Sequence, residues 1–468
     1  MQKLSILAVV VVLVCGCTVG PNYKRPKIDP PATYRGLTPE EAAQTDVKSF
    51  ADEKWWDVFH DEQLKDLIRT ALEQNYDVRI AATRILEAQA RLGITRADQF
   101  PAVTAQAATT NERSSQQKFI PAFETNAHRV ELGLDWNLDF WGRFRRATEA
   151  ARANLVATEW ARREVITELV ANLAGAYFRL RALDLQLEIS RSTLASRQDS
   201  LRLTRVLAEG GSTSLLDVRQ AEQLVFTAGS EIPFLEQQIE QQENFISILL
   251  GNNPGPIARG KPLTEQPLAP VVPAGLPSSL LERRPDILQA EQQLISANAE
   301  IGVARSLYFP QITLTGVAGY QSSALTGLFA GPAGFWTFGS NLAQPIFTAG
   351  RLRSNVRLAE AQQQEAVLFY QETIQGAFRD VADALAAYRK TQEFSQQQKF
   401  LVDSAQDATR LSHLRYSGGA TSYLEVLTND TNYFTAELGL VQAQLNEQLA
   451  LVQLYKGLLG TLLLPPST

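Results

Sequence analysis

The residues able to do chemistry are few and scattered. Three histidines, His60, His128 and His413, lie far apart, with no metal-ligand spacing and no nucleophile beside them. Gly255-Pro-Ile-Ala-Arg-Gly260-Lys261-Pro262 has the outline of a phosphate loop, but it ends in proline where serine or threonine must hold Mg²⁺, and no strand precedes it. Glu282-Arg283-Arg284-Pro285-Asp286 has the charge of a ligand patch, yet it reads better as a helix start with Pro285 and Asp286 in the first turn. No enzymatic constellation, cofactor site or metal site emerges. The one reactive residue with a clear context is Cys17. It follows Met1-Gln-Lys-Leu-Ser-Ile-Leu-Ala-Val-Val-Val-Val-Leu-Val14-Cys15-Gly16, a cation, an apolar stretch too short to span a bilayer, and small residues at the cut. This is the pattern of a bacterial lipoprotein leader. Residues 1–16 are expected to be removed and Cys17 acylated, with Thr18 favouring the outer membrane.

Cys15 leaves with the leader, so no disulfide and no cysteine metal site is expected in the mature chain. The net charge of -6 and the absence of a dense basic cluster argue against a nucleic-acid partner. The lone methionine is Met1, which argues mildly against a copper path.

The elements that would position a site repeat once, at an offset of roughly 208 residues. Leu72-Glu73, Asp77, Ala81, Gly93, Arg96 and Phe100-Pro101 recur as Leu281-Glu282, Asp286, Ala290, Gly302, Arg305 and Phe309-Pro310. Gly142-Arg143 recurs as Gly350-Arg351, and Gly210-Gly211-Ser-Thr213-Ser214-Leu-Leu216-Asp217 as Gly418-Gly419-Ala-Thr421-Ser422-Tyr-Leu424-Glu425. A tandem duplication is expected: a lipid-anchored segment over 17–54, repeat 1 over 55–260 and repeat 2 over 261–468, joined by a Pro/Gly-rich connector around Gly251 to Pro277. Residues 143–209 and 351–417 contain no proline. As unbroken helices each would reach about 100 Å at 1.5 Å per residue. Further helices are expected over 213–250 and 421–460, with apolar residues at steps of three and four.

An ordinary helical bundle is the competing reading, and the segments after each Phe-Pro decide against it. Val130, Leu132, Leu134, Trp136, Leu138 and Phe140 alternate with Glu131, Gly133, Asp135, Asn137 and Asp139. That period of two has the length of a membrane-crossing barrel strand. Strands are expected at about 101–113, 127–140, 310–323 and 335–346. Four strands cannot close a barrel, and an open edge in hydrocarbon leaves backbone groups unpaired at several kcal/mol each. Three chains would supply twelve strands and a lumen, where two would give a barrel filled by its own side chains.

Cys17-Thr-Val-Gly-Pro-Asn-Tyr-Lys-Arg-Pro26, Trp55-Trp56-Asp-Val-Phe59, Leu276-Pro-Ser-Ser-Leu-Leu-Glu-Arg-Arg-Pro-Asp286-Ile and Ile301-Gly-Val-Ala-Arg305 with Tyr308-Phe-Pro310 resemble the outer membrane efflux lipoproteins of the TolC-like outer membrane factor family, of the OprM/NodT type. The resemblance implies an α+β membrane protein: a homotrimer with four transmembrane strands per chain in a twelve-stranded β-barrel that continues into a long periplasmic α-helical barrel. It also implies a periplasmic adaptor and an inner-membrane RND-type transporter as partners. Gly210, Gly211, Gly418 and Gly419 would form the adaptor-contacting hairpin tips. Leu424 and Glu425 resemble the residues that narrow the closed tunnel, with Asp217 from the equivalent hairpin nearby. Many relatives carry an aspartate three residues beyond Glu425, where this chain has Thr428, which leaves open one charged ring or two. The expected function is a passive exit duct of a tripartite efflux pump. The alternatives are a lipid-anchored periplasmic helical scaffold, which has no need of a lipid-facing apolar row, and the outer membrane component of a type I secretion system.

Overall fold

The computed structural model describes residues 18–35, 59–116, 118–119, 121–266 and 277–458. The leader, Cys17, the Trp55-Trp56 pair, connector residues 267–276 and residues 459–468 lie outside the described residues. The elements are α1 (Glu62–Gln74), α2 (Tyr76–Ala97), β1 (Ala102–Arg113), β2 (Glu124–Leu138), α3 (Arg143–Glu209), α4 (Leu215–Leu249), α5 (Pro277–Arg283), α6 (Pro285–Ser306), β3 (Gln311–Ser322), β4 (Gly334–Ala343), α7 (Arg351–Ser417) and α8 (Tyr423–Leu458). Both α3 and α7 run 67 residues. Among the described residues, no helix is long and apolar enough to cross a membrane.

The chain divides into two units. The first takes residues 84–159, 289–371 and the chain start up to Ile28. It holds one antiparallel sheet in the order β1-β2-β3-β4. The register decides which side chains share a face. Val103, Leu134, Gly316 and Phe338 stand in one row across the four strands, and Ala105, Leu132, Ala318 and Trp336 in the next. The intervening row carries Thr104, Gly133, Val317 and Thr337, and another Gln106, Glu131, Gly319 and Phe335. Because side chains alternate between faces, one side of the sheet is apolar and the other largely polar. Leu132 (57%), Leu134's partner across two strands Phe338 (66%) and Trp336 (78%) leave that apolar face open in the protomer. Among the described residues β1 pairs only with β2 and β4 only with β3, so both outer edges lack a partner there.

Strand ends differ from the sequence expectation by a few residues for local reasons. β2 starts at Glu124, because Glu124, Thr125 and Asn126 continue the ladder opposite Arg113, Glu112 and Asn111 beyond the alternating run. It stops at Leu138, where Asp139 turns to accept from the Arg145 backbone N–H at 2.9 Å. β4 stops at Ala343, shortly before Pro345, which has no N–H to give a ladder. Indole N–H groups tie down the turns that lead into the strands: Trp136 donates to Gln99 O at 3.1 Å, and Trp141 to Pro310 O at 2.8 Å.

The chain start is strapped onto the same unit. Val19 N donates to Trp141 O, Arg146 to Asn22 Oδ1 at 2.7 Å, and Tyr23 and Arg25 both reach Glu291, at 3.0 and 2.8 Å. Gly20, at φ +105, crosses Gly302 so closely that a Cβ on it would sit 2.5 Å from the Gly302 Cα. No side chain fits at that crossing.

The second unit takes residues 29–83, 160–288 and 372–468. Its core gathers Leu64 and Ile68 of α1, Leu173, Tyr177, Phe178 and Leu180 of α3, and Leu451, Leu454 and Tyr455 of α8. The connector is held by one buried carboxylate, Asp61, 1% exposed. Its Oδ1 caps α1 by accepting from Gln63 N and Leu64 N, and its Oδ2 accepts from the Tyr177 hydroxyl, Lys261 N and Gln266 Nε2, each at 2.9 Å. Burial works against the charge, but hydrogen bonds from Gln266, Tyr177 and the backbone outweigh it and hold the carboxyl below its ordinary range. In α4, Pro233 lies inside the helix, where its ring would crowd the carbonyl of Gly229 four residues earlier.

Candidate functional site

The site is built at the ends of two helical hairpins in the second unit, where the duplicated Gly-Gly segments lie. Each reversal is made by the same bonds. Ser212 N donates to Leu207 O and Gly211 N to Ala208 O; in the second copy Ala420 N donates to Arg415 O and Gly419 N to Tyr416 O. This is a Schellman ending, which requires a left-handed residue just beyond the helix. Gly211 (φ +72) and Gly419 (φ +71) supply it. Gly210 and Gly418 have ordinary φ, so only the second glycine of each pair is demanded by the backbone.

The helices that leave the turns start alike. Ser214 caps α4 with Asp217 in a reciprocal capping box, and Thr213 Oγ1 donates to Asp217 as well. In the second copy Thr421 Oγ1 donates to Glu425, whose other oxygen lies 3.3 Å from Arg415. Both carboxylates named from sequence therefore serve the first turns of their helices, and Glu425 also carries an ion pair. Leu424, 56% exposed, points away from the packed seam, and Thr428 is exposed with its hydroxyl donating to Leu424 O.

The two tips meet. Leu201, Val218 and Ala221 of the first hairpin pack with Tyr423 and Val426 of the second, with Tyr416 against them. Tyr416 and Tyr423 stand edge to face at 5.3 Å, and the Tyr416 hydroxyl donates to Thr213 Oγ1 at 3.4 Å. Asp217 and Glu425 are thus brought into one neighbourhood by the tyrosine pair.

Farther from the tips lies a polar cluster that sequence reasoning missed. His413 Nε2 and Asp430 Oδ1 are 2.9 Å apart, joining the two arms of the second hairpin. Arg197 of α3, 4% exposed, donates to Leu224 O of α4 at 3.0 Å, and its guanidinium lies 5.0 Å from the Phe434 ring of α8. Arg197 Nε has no protein partner. The cluster borders an open cavity of about 440 Å³ lined also by Glu188, Tyr433 and Glu437. His413 lies five residues before Gly418 and Asp430 eleven after Gly419, so no symmetry about the turn marked their contact in the sequence. Of the other histidines, His128 approaches Thr109 Oγ1 at 3.1 Å. Among the described residues no group of His, Cys, Asp and Glu could hold a metal ion. Arg284 is buried against Asp286, at 2.6 Å, at the start of α6.

The sequence profile of the outer membrane efflux protein family matches residues 67–252 and 276–461, once per repeat. The chain is 37% identical over 464 residues to a toluene efflux pump outer membrane protein, TtgC of Pseudomonas putida, covering 98% of this chain and 96% of that one. It is 35% identical over 447 residues to the cation efflux system protein CusC of Escherichia coli, covering 95% and 96%. The open state of the MtrE outer membrane channel of Neisseria gonorrhoeae superposes with a TM-score of 0.86 at 31% identity, covering 95% of this chain and 99% of that one. The duplicated sequence, the four-stranded sheet with one apolar face and the paired long helical hairpins all agree with these likenesses: the chain belongs to the outer membrane efflux protein family, as an outer membrane channel component of an efflux pump that reaches into the periplasm.

Proposed function

We propose that three copies of the chain close one twelve-stranded barrel and form a passive exit duct, fed by a periplasmic adaptor and an inner-membrane RND-type transporter that supplies the energy. One observation carries this reading: a four-stranded sheet with an apolar face and two unpartnered edges. In hydrocarbon those edges must be paired, and three copies do so while leaving a passage. On this reading Cys17 carries lipid, the tips at Gly210-Gly211 and Gly418-Gly419 meet the adaptor, and Leu424 with Glu425 narrows the inner end beside Asp217. Relatives named for toluene and for cations lie at almost the same identity to this chain, 37% and 35%. That near-equality favours a duct that leaves substrate choice to the transporter. Crosslinking and native mass measurement of detergent-extracted protein are expected to report three chains. A stable monomer with full strand content would overturn the shared barrel.

A further inference from the structure

Resting on the channel reading, we infer that His413 is a proton sensor that loosens the seam between the two helical hairpins by competing with Arg197 for Asp430. The contact between His413 and Asp430 lies within one hairpin and does nothing to hold the two hairpins together. Arg197 belongs to the other hairpin, where its bond to Leu224 O fixes it. From there it crosses the seam to the Phe434 ring and lines the same cavity as His413 and Asp430, whose charge acts on it. Asp430 is a charge that acts on both His413 and Arg197. With His413 neutral, its negative charge is left to Arg197, and the seam holds an attraction between hairpins. With His413 protonated, Asp430 is neutralised from its own side and two cations share a part-buried site.

The charged and titratable groups around His413 are accounted for element by element. On α8 are Tyr423, Asp430, Tyr433 and Glu437; on α3 are Arg197 and Glu188; among the described residues α4 contributes the Leu224 carbonyl. Burial raises the Glu437 carboxyl above its ordinary value, with the hydrogen bond from Tyr433 opposing that rise. The open cavity gives solvent a way in for the proton.

Linkage gives the direction. In the packed seam the hydrogen bond to Asp430 raises the His413 pKa above its ordinary value, and burial opposes that rise. When the hairpins part, Asp430 stays with His413 while burial is lifted and Arg197 departs, so the pKa rises further. The parted state binds the proton more tightly and is favoured as pH falls. A difference of one pKa unit between the two states would shift their ratio about tenfold.

The test is single-channel recording of the full-length protein in planar bilayers between pH 8 and pH 5.5, on wild type, His413→Gln and His413→Lys. Conductance or open probability should rise on acidification in wild type. It should stay at the pH 8 level throughout in His413→Gln, and be high at every pH in His413→Lys, where the cation is permanent. A wild-type acid response that survives in His413→Gln, or an absent wild-type response, overturns the sensor. Trimer content in detergent is measured on each variant, and wild-type conductance at pH 8 tests the channel reading separately. If His413→Gln does not assemble, Asp430→Asn serves: it removes the shared charge, so the response to pH should vanish, and its persistence overturns the inference.

Discussion

Replacing Asp61 should release the connector between the repeats, and the structure supplies the size of the effect. Five donors converge on this carboxylate, and the bonds from Leu64 N and the Tyr177 hydroxyl are buried. Asp61→Ala strands those two donors at about 1–3 kcal/mol each, together about 2–6 kcal/mol, while water reaches the other three. The loss is local, because Lys261 N and Gln266 Nε2 both belong to the connector. Trypsin cleavage after Arg259, followed by mass spectrometry in detergent, reads the opening directly. Arg259 is held in the intact protein by Asp184 at 3.2 Å and by Glu243. The middle of the energy range corresponds to an acceleration of about a thousandfold when opening is fast relative to cleavage. Asp61→Asn should be almost as damaging, since its amide would turn an N–H₂ toward either the helix N–H pair or the three donors at Oδ2. The pH dependence follows from a carboxyl held below its ordinary range: its contribution is complete above the unfolded value near 3.8 and is lost as pH falls through the lower folded value. Cleavage after Arg259 that changes by less than about twofold in Asp61→Ala would refute the pinning role, since even one stranded donor predicts more.

Cys17→Ser should abolish incorporation of labelled palmitate and cleavage of the leader by the lipoprotein route; label still entering the variant would contradict acylation at Cys17. Leu424→Ala combined with Glu425→Ala should raise single-channel conductance and weaken block by multivalent cations, more so because the loss of Glu425 leaves Arg415 uncompensated. Unchanged conductance and unchanged block would move the constriction toward Thr428.

The repeat and the long helices were legible because they are local and periodic. The proline-free runs 143–209 and 351–417 coincide with α3 and α7 residue for residue, since nothing in them interrupts the i to i−4 ladder. β2 announced itself through its alternation, while β1 reads weakly because its apolar row is mostly alanine between Thr104, Gln106 and Thr110. The tips were legible as glycine pairs, but not which glycine matters, since that depends on φ at Gly211 and Gly419. Asp61 was invisible. Its partners lie 116, 200 and 205 residues away, and no local pattern marks an aspartate that folds a distant connector onto a helix cap. Arg197 was hidden for the same reason: a buried arginine on a long polar-looking helix has no signature until its neighbours are in place.

The two bare edges of the sheet have a kinetic consequence. A chain that cannot finish its own β-structure must meet others first, so completion of the fold depends steeply on how many unfinished chains share a neighbourhood. Until then each edge is a template for wrong pairing as well as right. A lipid on Cys17, as proposed, would tether every chain to one leaflet, confine the search to two dimensions and raise effective concentration without adding a contact. An anchor of that kind speeds assembly and leaves the finished channel unchanged, so its loss would tell most at low expression and least when the protein is abundant.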